Sequence, residues 1–582
     1  MVGRGRVAQF ERRPSYEAVT QPRRGSAAAL GADPTAGLSE NSVSRLLTRE
    51  RYFVIFDPMQ TQLVAATLWM PLFGAVLGVL APPLAGKRLL PGLAMLTLAV
   101  AVALVVRVTL GAAHPEPGPW GLAVSADRLG ALVVLLASGI QATVLAYATR
   151  CLDDEAFRRF SVWSQVLVAA TDLIGIAATP GWLVLGWVVA SLAVFGLVAG
   201  TGGSAGAARR VAAGLLLGDA ALVGAVIILW RLVGDPSLFH LGAAEARLRA
   251  ARLALGPVRL SAADAVALLI VLAAIVRGAL WPGPRWLPAT LAAPTPVSAL
   301  LHAGVVNAGG FLLIRLSPLL GATPVASGVA LVAGLATAAF GGVAAAVRPD
   351  IKGSLVYSTM SQMGFMVAEC AVGAFAAAVF HLVAHGMYKA ALFLGSGDGI
   401  DQQVRQRRFA LPRTPLPVRL WVASAFTLAF GFLVVAVLRH PAWLVHRGGV
   451  VTIAFTAVTS GSLLWGWLER RPASAQAVWG GLGAAILGAG YLWWSSAVTG
   501  WLAPQLPLAG AAFRSPLWLL AALIAAGGLA VAVVWLGRSS ALTTRLRARA
   551  LWAAWEQPSR LWGTPRFQAW RWLEVQSWKQ PI

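Results

Sequence analysis

Long apolar segments dominate the chain and recur from about residue 60 to residue 536. Each is near 20 residues long, which is enough to cross a hydrocarbon core about 30 Å thick. The segments lie near 61–83, 88–109, 126–148, 160–179, 181–200, 210–233, 262–281, 295–318, 323–346, 353–373, 374–396, 417–438, 448–468, 476–498 and 514–536. Short polar loops separate them. The pattern predicts an all-α, polytopic membrane helix bundle of about fifteen transmembrane helices.

Composition agrees with a membrane protein, because hydrophobic residues make up 58% of the chain and charged residues only 12%. The net charge of +24 is compatible with nucleic-acid binding, but the arginines lie in short loops between apolar segments, as at Arg209, Arg210, Arg470 and Arg471. That distribution is typical of anchoring at the cytoplasmic face of a lipid membrane. We therefore expect no nucleic-acid partner, and a multi-pass protein of the cell inner membrane with a cytoplasmic C-terminus. The basic loop at 235–260 disagrees with that orientation.

Both ends of the chain differ from the apolar middle. Residues 1–52 are polar, basic and interrupted by Gly, Pro and Ser, without the apolar run of a signal peptide, which predicts a disordered extension. Residues 53–536 form the predicted transmembrane domain. Residues 537–582 mix arginines with six tryptophans, which favours a tail at the membrane surface or on a partner. Cys151 and Cys370 are isolated, so neither a disulfide framework nor a metal site is predicted, and no cofactor is expected.

Ionisable side chains interrupt two of the apolar runs. The first run contains His302, and the second contains His381, His385 and Lys389. The spacing i, i+4, i+8 places the last three on one face of a helix, about 6 Å apart along its axis. Such groups are costly in a membrane and are seldom kept without a function. Hydrogen-bonded core residues are the alternative, but the pattern favours a proton or ion relay.

The sequence motifs around these residues resemble those of a known family. The runs are HAGVVNAGGFLLIRLSPL, which begins at His302, RPDIKGSLVYSTMSQMGFM, which begins at Arg348, and AHGMYKAALFLGSG, which ends at Gly397. They resemble the antiporter-like membrane subunits of respiratory complex I and of multisubunit (Mrp) sodium/proton antiporters. Within that superfamily the wording is similar to the DabB subunits of energy-coupled inorganic carbon pumps. The resemblance covers residues 60 to 400.

The resemblance implies two inverted five-helix repeats, each with a helix broken near the middle of the membrane. Pro282, Pro284 and Pro288 follow directly on an apolar run and fit such a break in the first repeat, since proline frees carbonyls and interrupts a helix. In the second repeat, Gly431 is the candidate for the corresponding break.

By the same resemblance, the first repeat has lost its exchanging pair. The glutamate of the family's Gly-Trp-Glu motif is Val188 here, and the lysine of its seventh helix is Arg277. Asp219 matches the family's Gly-Asp on helix six, and His302 matches the histidine on helix eight. A lysine can release its proton in a dry helix bundle, whereas an arginine stays charged. We therefore predict that Arg277 is a fixed charge neutralised by Asp219.

The second repeat keeps more of the family's ionisable positions. The predicted residues for proton or ion translocation are Lys352, His381, His385, Lys389, His302 and Glu369. Glu369 is an additional carboxylate inside an apolar segment, and an equal alternative is that it reaches the membrane interface. Histidine suits a relay because its charge changes near neutral pH. Asp172 is a further acid in an apolar run, without an identified partner.

The DabB resemblance implies a transporter subunit rather than an enzyme. By the same resemblance, such a subunit is expected to couple a proton or sodium gradient to CO2 hydration and bicarbonate accumulation by a DabA-like, large soluble subunit that contains zinc. The chain contains no CxxC or HExxH motif, which agrees with hydration on another polypeptide. The alternatives are a proton-pumping subunit of a complex I-like assembly, a subunit of an Mrp-type cation/proton antiporter, and a scaffold that only anchors a soluble enzyme.

Overall fold

The computed structural model describes residues 58–111 and 124–396, with gaps at 203–204, 240, 256–257, 282–285, 322 and 349, and nine positions between 486 and 502. Eleven of the predicted apolar segments fall in this part of the chain. The four segments beyond residue 396 lie wholly or mostly outside the described residues, as do the N-terminal extension, the Arg/Trp-rich tail and Gly431. The domain limits therefore stay predictions.

Helices form most of the described chain. They are α1 Pro58–Leu80, α2 Pro83–Leu110, α3 Arg128–Cys151, α4 Asp154–Ile176, α5 Pro180–Gly200, α6 Ala205–Leu232, α7 Gly242–Ala250, α8 Ala262–Arg277, α9 Thr295–Ala303, α10 Ala308–Arg315, α11 Ser317–Gly321, α12 Pro324–Val347, α13 Ile351–Ala371 and α14 Phe375–Leu394. Eight helical spans in this part are long and apolar enough to cross a membrane. The predicted helical membrane fold is confirmed.

Aspartate and proline determine where several helices begin. Asp127 precedes α3 and accepts a hydrogen bond from the Gly130 amide at 2.7 Å, and Asp350 caps α13 in the same way. Such caps satisfy amides that have no partner inside the helix. Pro180 and Pro324 begin α5 and α12, where the missing N–H of proline is harmless.

The basic loop at 235–260 contains secondary structure. It contains α7 and two short strands, β1 Arg252–Leu255 and β2 Val258–Ser261, which pair in antiparallel register. Ser261 ends β2 and caps α8 by accepting a hydrogen bond from the Asp264 amide at 3.0 Å. The hairpin thus leads directly into the helix that ends at Arg277.

The predicted break in the first repeat is confirmed. Helix α8 ends at Arg277, and Ala279 adopts a φ of 54°, a left-handed conformation that stops a helix. Pro282 and Pro284 lie in a gap of the described residues, and Pro288 begins a short 3₁₀ turn. The side chain of Arg277 therefore emerges at the end of a helix inside the bundle.

The span predicted as one helix at 295–318 is divided. Helix α9 ends at Ala303, and a 3₁₀ turn, Val305–Asn307, follows before α10 begins. Asn307 Nδ2 donates to the Ala303 carbonyl at 2.7 Å and to the Leu382 carbonyl of α14 at 3.2 Å. The asparagine supplies the bond that the interrupted helix lacks and joins the interruption to α14.

A glycine seam joins α12 and α13. A Cβ atom on Gly364 would lie 2.6 Å from the Gly334 carbonyl oxygen, so the two backbones touch only because neither residue has a side chain. Ser361 Oγ adds a hydrogen bond to the Ala338 carbonyl at 2.8 Å. In lipid, close backbone packing of this kind is a main source of helix association. Helix α13 is therefore held against α12 largely by its backbone.

A buried ion pair closes one end of the bundle. Arg315, at the end of α10, holds both carboxylate oxygens of Asp127 at 2.6 and 2.7 Å and donates to the Gly175 carbonyl at 3.1 Å. The rings of Phe239 and Phe311 lie 5.3 Å from the guanidinium carbon. One side chain thus connects α10 with α3 and α4.

Candidate functional site

Helix α14 places the predicted relay residues on one buried face. His381, His385 and Lys389 are all buried, and the ring centroids of the two histidines lie 6.0 Å apart. The surrounding positions of α14 are apolar, as expected of a membrane helix. The i, i+4, i+8 spacing thus produces a continuous row of polar groups about 12 Å long inside the bundle. We call this row the α14 face.

Helix α13 provides a partner for each end of the α14 face. His381 Nδ1 lies 3.0 Å from Glu369 Oε2, and the Lys389 ammonium donates to Ser358 Oγ and, at 3.4 Å, to the Leu355 carbonyl. The exposed fraction of Glu369 is 2%, which argues against the alternative that it reaches the interface. A carboxylate and a hydroxyl therefore bracket the row, and the groups together can accept, hold or release a proton.

His302 approaches the same row from α9. Its ring stacks on Phe393 with centroids 4.5 Å apart, and neither ring nitrogen has a hydrogen-bond partner among the described residues. His302 and Lys389 lie within electrostatic reach of each other and of His385. Because charges interact strongly in a dry interior, a charge on one member changes the free energy of placing a charge on the next.

Lys352 lies apart from the α14 face. It is in the first turn of α13, half-buried, and its ammonium donates to the Ala293 carbonyl at 3.3 Å. Six residues of α13, about 9 Å of helix, separate it from Ser358. The structure therefore brings five of the six predicted translocation residues together and places Lys352 at the end of the helix that supports them.

Arg277 is enclosed in the first half of the bundle. Its Nη2 atom donates to the Trp187 carbonyl at 2.8 Å, to Ser191 Oγ at 2.9 Å and to Asp219 Oδ1 at 3.2 Å. Ser191 Oγ also lies 2.9 Å from Asp219 Oδ1, and the guanidinium carbon lies 4.3 Å from the Trp187 ring. Val188, where the family has its glutamate, is 41% exposed on the outer side of α5. This geometry suits a fixed charge.

Arg277→Ala is expected to lower the free energy of unfolding by about 3–5 kcal/mol, because it leaves the Asp219 carboxylate buried without its cation. Arg277→Lys keeps a charge at the same place and is expected to fold normally, with altered activity. Thermal denaturation of the purified variants in detergent measures both effects. The double variant Arg277→Ala/Asp219→Asn is the control and should recover part of the loss. Equal stability of Arg277→Ala and wild type contradicts the pairing.

A small cavity lies between Arg277 and helix α14. It offers about 40 Å³ of space, and its lining includes Arg277, Asn307 and Leu382. That is room for roughly two or three water molecules. Asn307 Oδ1 is buried there without a hydrogen-bond partner among the described residues. The interruption of the helix at Gly304 thus places the polar side chain of Asn307 at a cavity that Arg277 and Leu382 also line.

Sequence reasoning missed four residues of the site. Ser358, Ser191, Phe393 and Asn307 each contact a predicted residue or join two helices. Ser358 lies in the YSTMSQ run and Ser191 one turn after Trp187, so both were near the motifs. Their roles depend on which helix packs opposite, and the sequence does not give that information.

The comparisons with known proteins agree with this architecture. Residues 181–463 match the family described as NADH:quinone oxidoreductase/Mrp antiporter, TM. The probable inorganic carbon transporter subunit DabB1 of Halothiobacillus neapolitanus is 33% identical in an alignment of 426 positions that covers 68% of this chain and 74% of that protein. The NADH-quinone oxidoreductase subunit L of Mycobacterium tuberculosis is 32% identical over 52% of this chain and 48% of its own length.

The fold also occurs in a solved assembly. A chain of the Mrp complex from Dietzia sp. DQ12-45-1b superposes with a TM-score of 0.50 at 23% identity, covering 88% of this chain and 54% of that chain. This likeness concerns the fold, while the DabB1 match extends over two thirds of both sequences. The chain therefore belongs to the DabB family of inorganic carbon transporter subunits, within the superfamily of complex I and Mrp antiporter-like membrane subunits.

Proposed function

We propose that this chain is the cation-translocating subunit of an inorganic carbon transporter of the cytoplasmic membrane. A proton or a sodium ion moves down its gradient along the α14 face. The histidines of this face favour the proton as the transported ion. The movement drives CO2 hydration by a DabA-like soluble subunit that contains zinc, and bicarbonate accumulates. The similarity to a protein named as the inorganic carbon transporter subunit DabB1 supports inorganic carbon as the substrate of the complex. The buried row of titratable groups supports cation translocation by this chain.

The observation that carries the proposal is the α14 face, with Glu369 in contact with one end of it and Ser358 with the other. Glu369, His381, His385, Lys389 and Ser358 form a row that crosses the interior between two helices. Glu369, the two histidines and Lys389 can each bind and release a proton, so a proton can pass along the row from one titratable group to the next.

Lys352 extends this path to the end of α13. It is half-buried and contacts a carbonyl in the turn before α9. A lysine at such a point can attract or repel an ion that approaches the row. We assign it to the entrance of the path, and we assign the closed Arg277–Asp219 pair to a fixed electrostatic role.

The alternative is a subunit of a complex I-like or Mrp-type complex that pumps protons. The matches to an NADH-quinone oxidoreductase subunit and to an Mrp chain are compatible with it. The enclosed Arg277 and the exposed Val188 weigh against it, because the first half then lacks the glutamate and lysine of those subunits. We expect the Arg/Trp-rich tail at 537–582 to lie on the cytoplasmic side, available to the soluble partner.

Expressed alone, the subunit is expected not to move inorganic carbon, because hydration is assigned to the partner. Co-expression with the soluble partner should restore growth in air to a cell that lacks carbonic anhydrase, while the partner alone should not. Growth and uptake of labelled inorganic carbon are the measurements. Rescue by the membrane subunit alone contradicts this division of labour.

A further inference from the structure

Asp172 lies outside the path described above. It is near the end of α4, its exposed fraction is 0%, and neither carboxylate oxygen has a hydrogen-bond partner among the described residues. Helix α4 packs against α1, α2, α3 and α5, which are all in the N-terminal part of the bundle. An ionised carboxylate without a partner is among the most costly groups to bury. Its presence therefore needs an explanation.

Other polar side chains line up with Asp172 along the interface between α3 and α4. Gln141 Nε2 donates to Gln165 Oε1 at 2.6 Å, and nearer the other end of this antiparallel pair Gly130 approaches the Gly175 carbonyl. Between these two contacts lie Ser138 on α3 and Asp172 on α4. Asp172 follows Gln165 by seven residues, about two turns and 10 Å, so both lie on the same side of α4.

The members of this row, which we call the α3–α4 file, are Gln141, Gln165, Ser138 and Asp172. Each has at least one buried polar atom without a partner among the described residues: Gln141 Oε1, Gln165 Nε2, Ser138 Oγ and both Asp172 oxygens. Buried polar groups in native proteins are nearly always hydrogen-bonded, so a consecutive run of unsatisfied atoms points to a mobile ligand such as water or a proton.

The file reaches towards the charged surface at the start of α4. Asp154 there is 55% exposed and pairs with Lys87 at 2.7 Å. About two turns further into the bundle lies Ser161 and about three turns further lies Gln165, on the same side of the helix. Gly74 of α1 leaves room for the Gln165 amide, since a Cβ at Gly74 would lie 2.5 Å from Gln165 Nε2. A polar route thus leads from the surface to Asp172.

Within the part of the chain that the structure describes, Asp172 has no ion-pair partner. Helices α1 and α5 contain no ionisable side chain. Arg107 of α2 and Arg128 of α3 lie at the same end of the bundle, and Arg315 is bound to Asp127, but none of the three is hydrogen-bonded to the Asp172 carboxylate. A metal cation needs several oxygen ligands, and the file offers few. A proton is the ligand that this site can hold.

We propose that Asp172 binds and releases a proton through the α3–α4 file. The N-terminal helices then hold a protonation site that is separate from the α14 face. The site retains a titratable group in the half of the bundle where Val188 and Arg277 replace the family's exchanging pair.

Infrared difference spectroscopy on the full-length protein in lipid tests this inference. Spectra at low minus high pH should contain the carbonyl band of a protonated carboxyl in an apolar environment, and Asp172→Asn should remove that band. In heavy water the band should shift, and Gln165→Leu, which shortens the polar route, should slow this exchange at least tenfold. Glu155→Gln is the matched control, since it alters an exposed carboxylate of the same helix that pairs with Arg158 and Arg159 outside the route, and it should leave the band and its exchange unchanged.

Three results overturn the proposal. One is the absence of any band that depends on Asp172. Another is a band that persists at every pH and does not exchange, which makes Asp172 a permanently neutral structural residue. The third is loss of the band on adding sodium at constant pH, which makes it a sodium site. Lys389→Met should leave the band unchanged, so failure of the α14 path and failure of this site are separable.

Discussion

Replacing Lys389 by methionine is expected to abolish inorganic carbon uptake while assembly with the soluble partner stays intact. Methionine fills a similar volume but carries neither the charge nor the proton of the ammonium that contacts Ser358. His385→Gln removes the central member of the α14 face and should have the same effect. Uptake of labelled inorganic carbon by cells that express both subunits, with co-purification to check assembly, measures the result.

His302→Ala is the matched control for these variants. His302 is buried beside the same row, but it stacks on Phe393, and the family's glutamate and lysine are Val188 and Arg277 here. A smaller loss of uptake is therefore expected. Wild-type uptake in both Lys389→Met and His385→Gln means that the α14 face is structural and that the ion crosses elsewhere.

Arg315→Ala is expected to lower the free energy of unfolding by about 3–5 kcal/mol, because it leaves the Asp127 carboxylate buried without a cation. Both oxygens of Asp127 contact the guanidinium, and both side chains are at least 96% buried. The loss should appear as a lower melting temperature and a lower yield of folded protein in detergent.

The double variant Arg315→Gln/Asp127→Asn separates the ion pair from simple packing. Asparagine can still cap α3, and no unpaired charge remains, so this variant should be more stable than Arg315→Ala. If Arg315→Ala melts at the wild-type temperature, or if the double variant is the less stable of the two, the ion pair does not stabilise the bundle as proposed.

The sequence was most informative where one helix determines the geometry. The spacing of His381, His385 and Lys389 predicted a buried row on α14, and the row is present in the structure. The break after Arg277 was predicted from the prolines that follow it. Both depend on local rules of helix geometry and of proline chemistry, which operate within a few residues.

Contacts between helices were not available from the sequence. Glu369 was a candidate, but its contact with His381 depends on the turn that sets the register of α13 and α14. The division of the span at Gly304 was missed because the run has the length and overall hydropathy of one membrane helix, and the contact of Asn307 with a carbonyl of α14 is tertiary. Tertiary partners decide such features, so periodicity alone does not predict them.

The glycine seam between α12 and α13 determines which part of the relay can move. Ser361 and the backbone at Gly364 hold one side of α13 against α12, while Ser358 and Glu369 face α14 from the other side. Helix α13 cannot withdraw without opening backbone contacts that lipid does not replace. Any step that separates Lys389 or His381 from its partner must therefore come from side-chain rotation or from displacement of α14. Helix α13 is therefore the stationary member of the pair that it forms with α14.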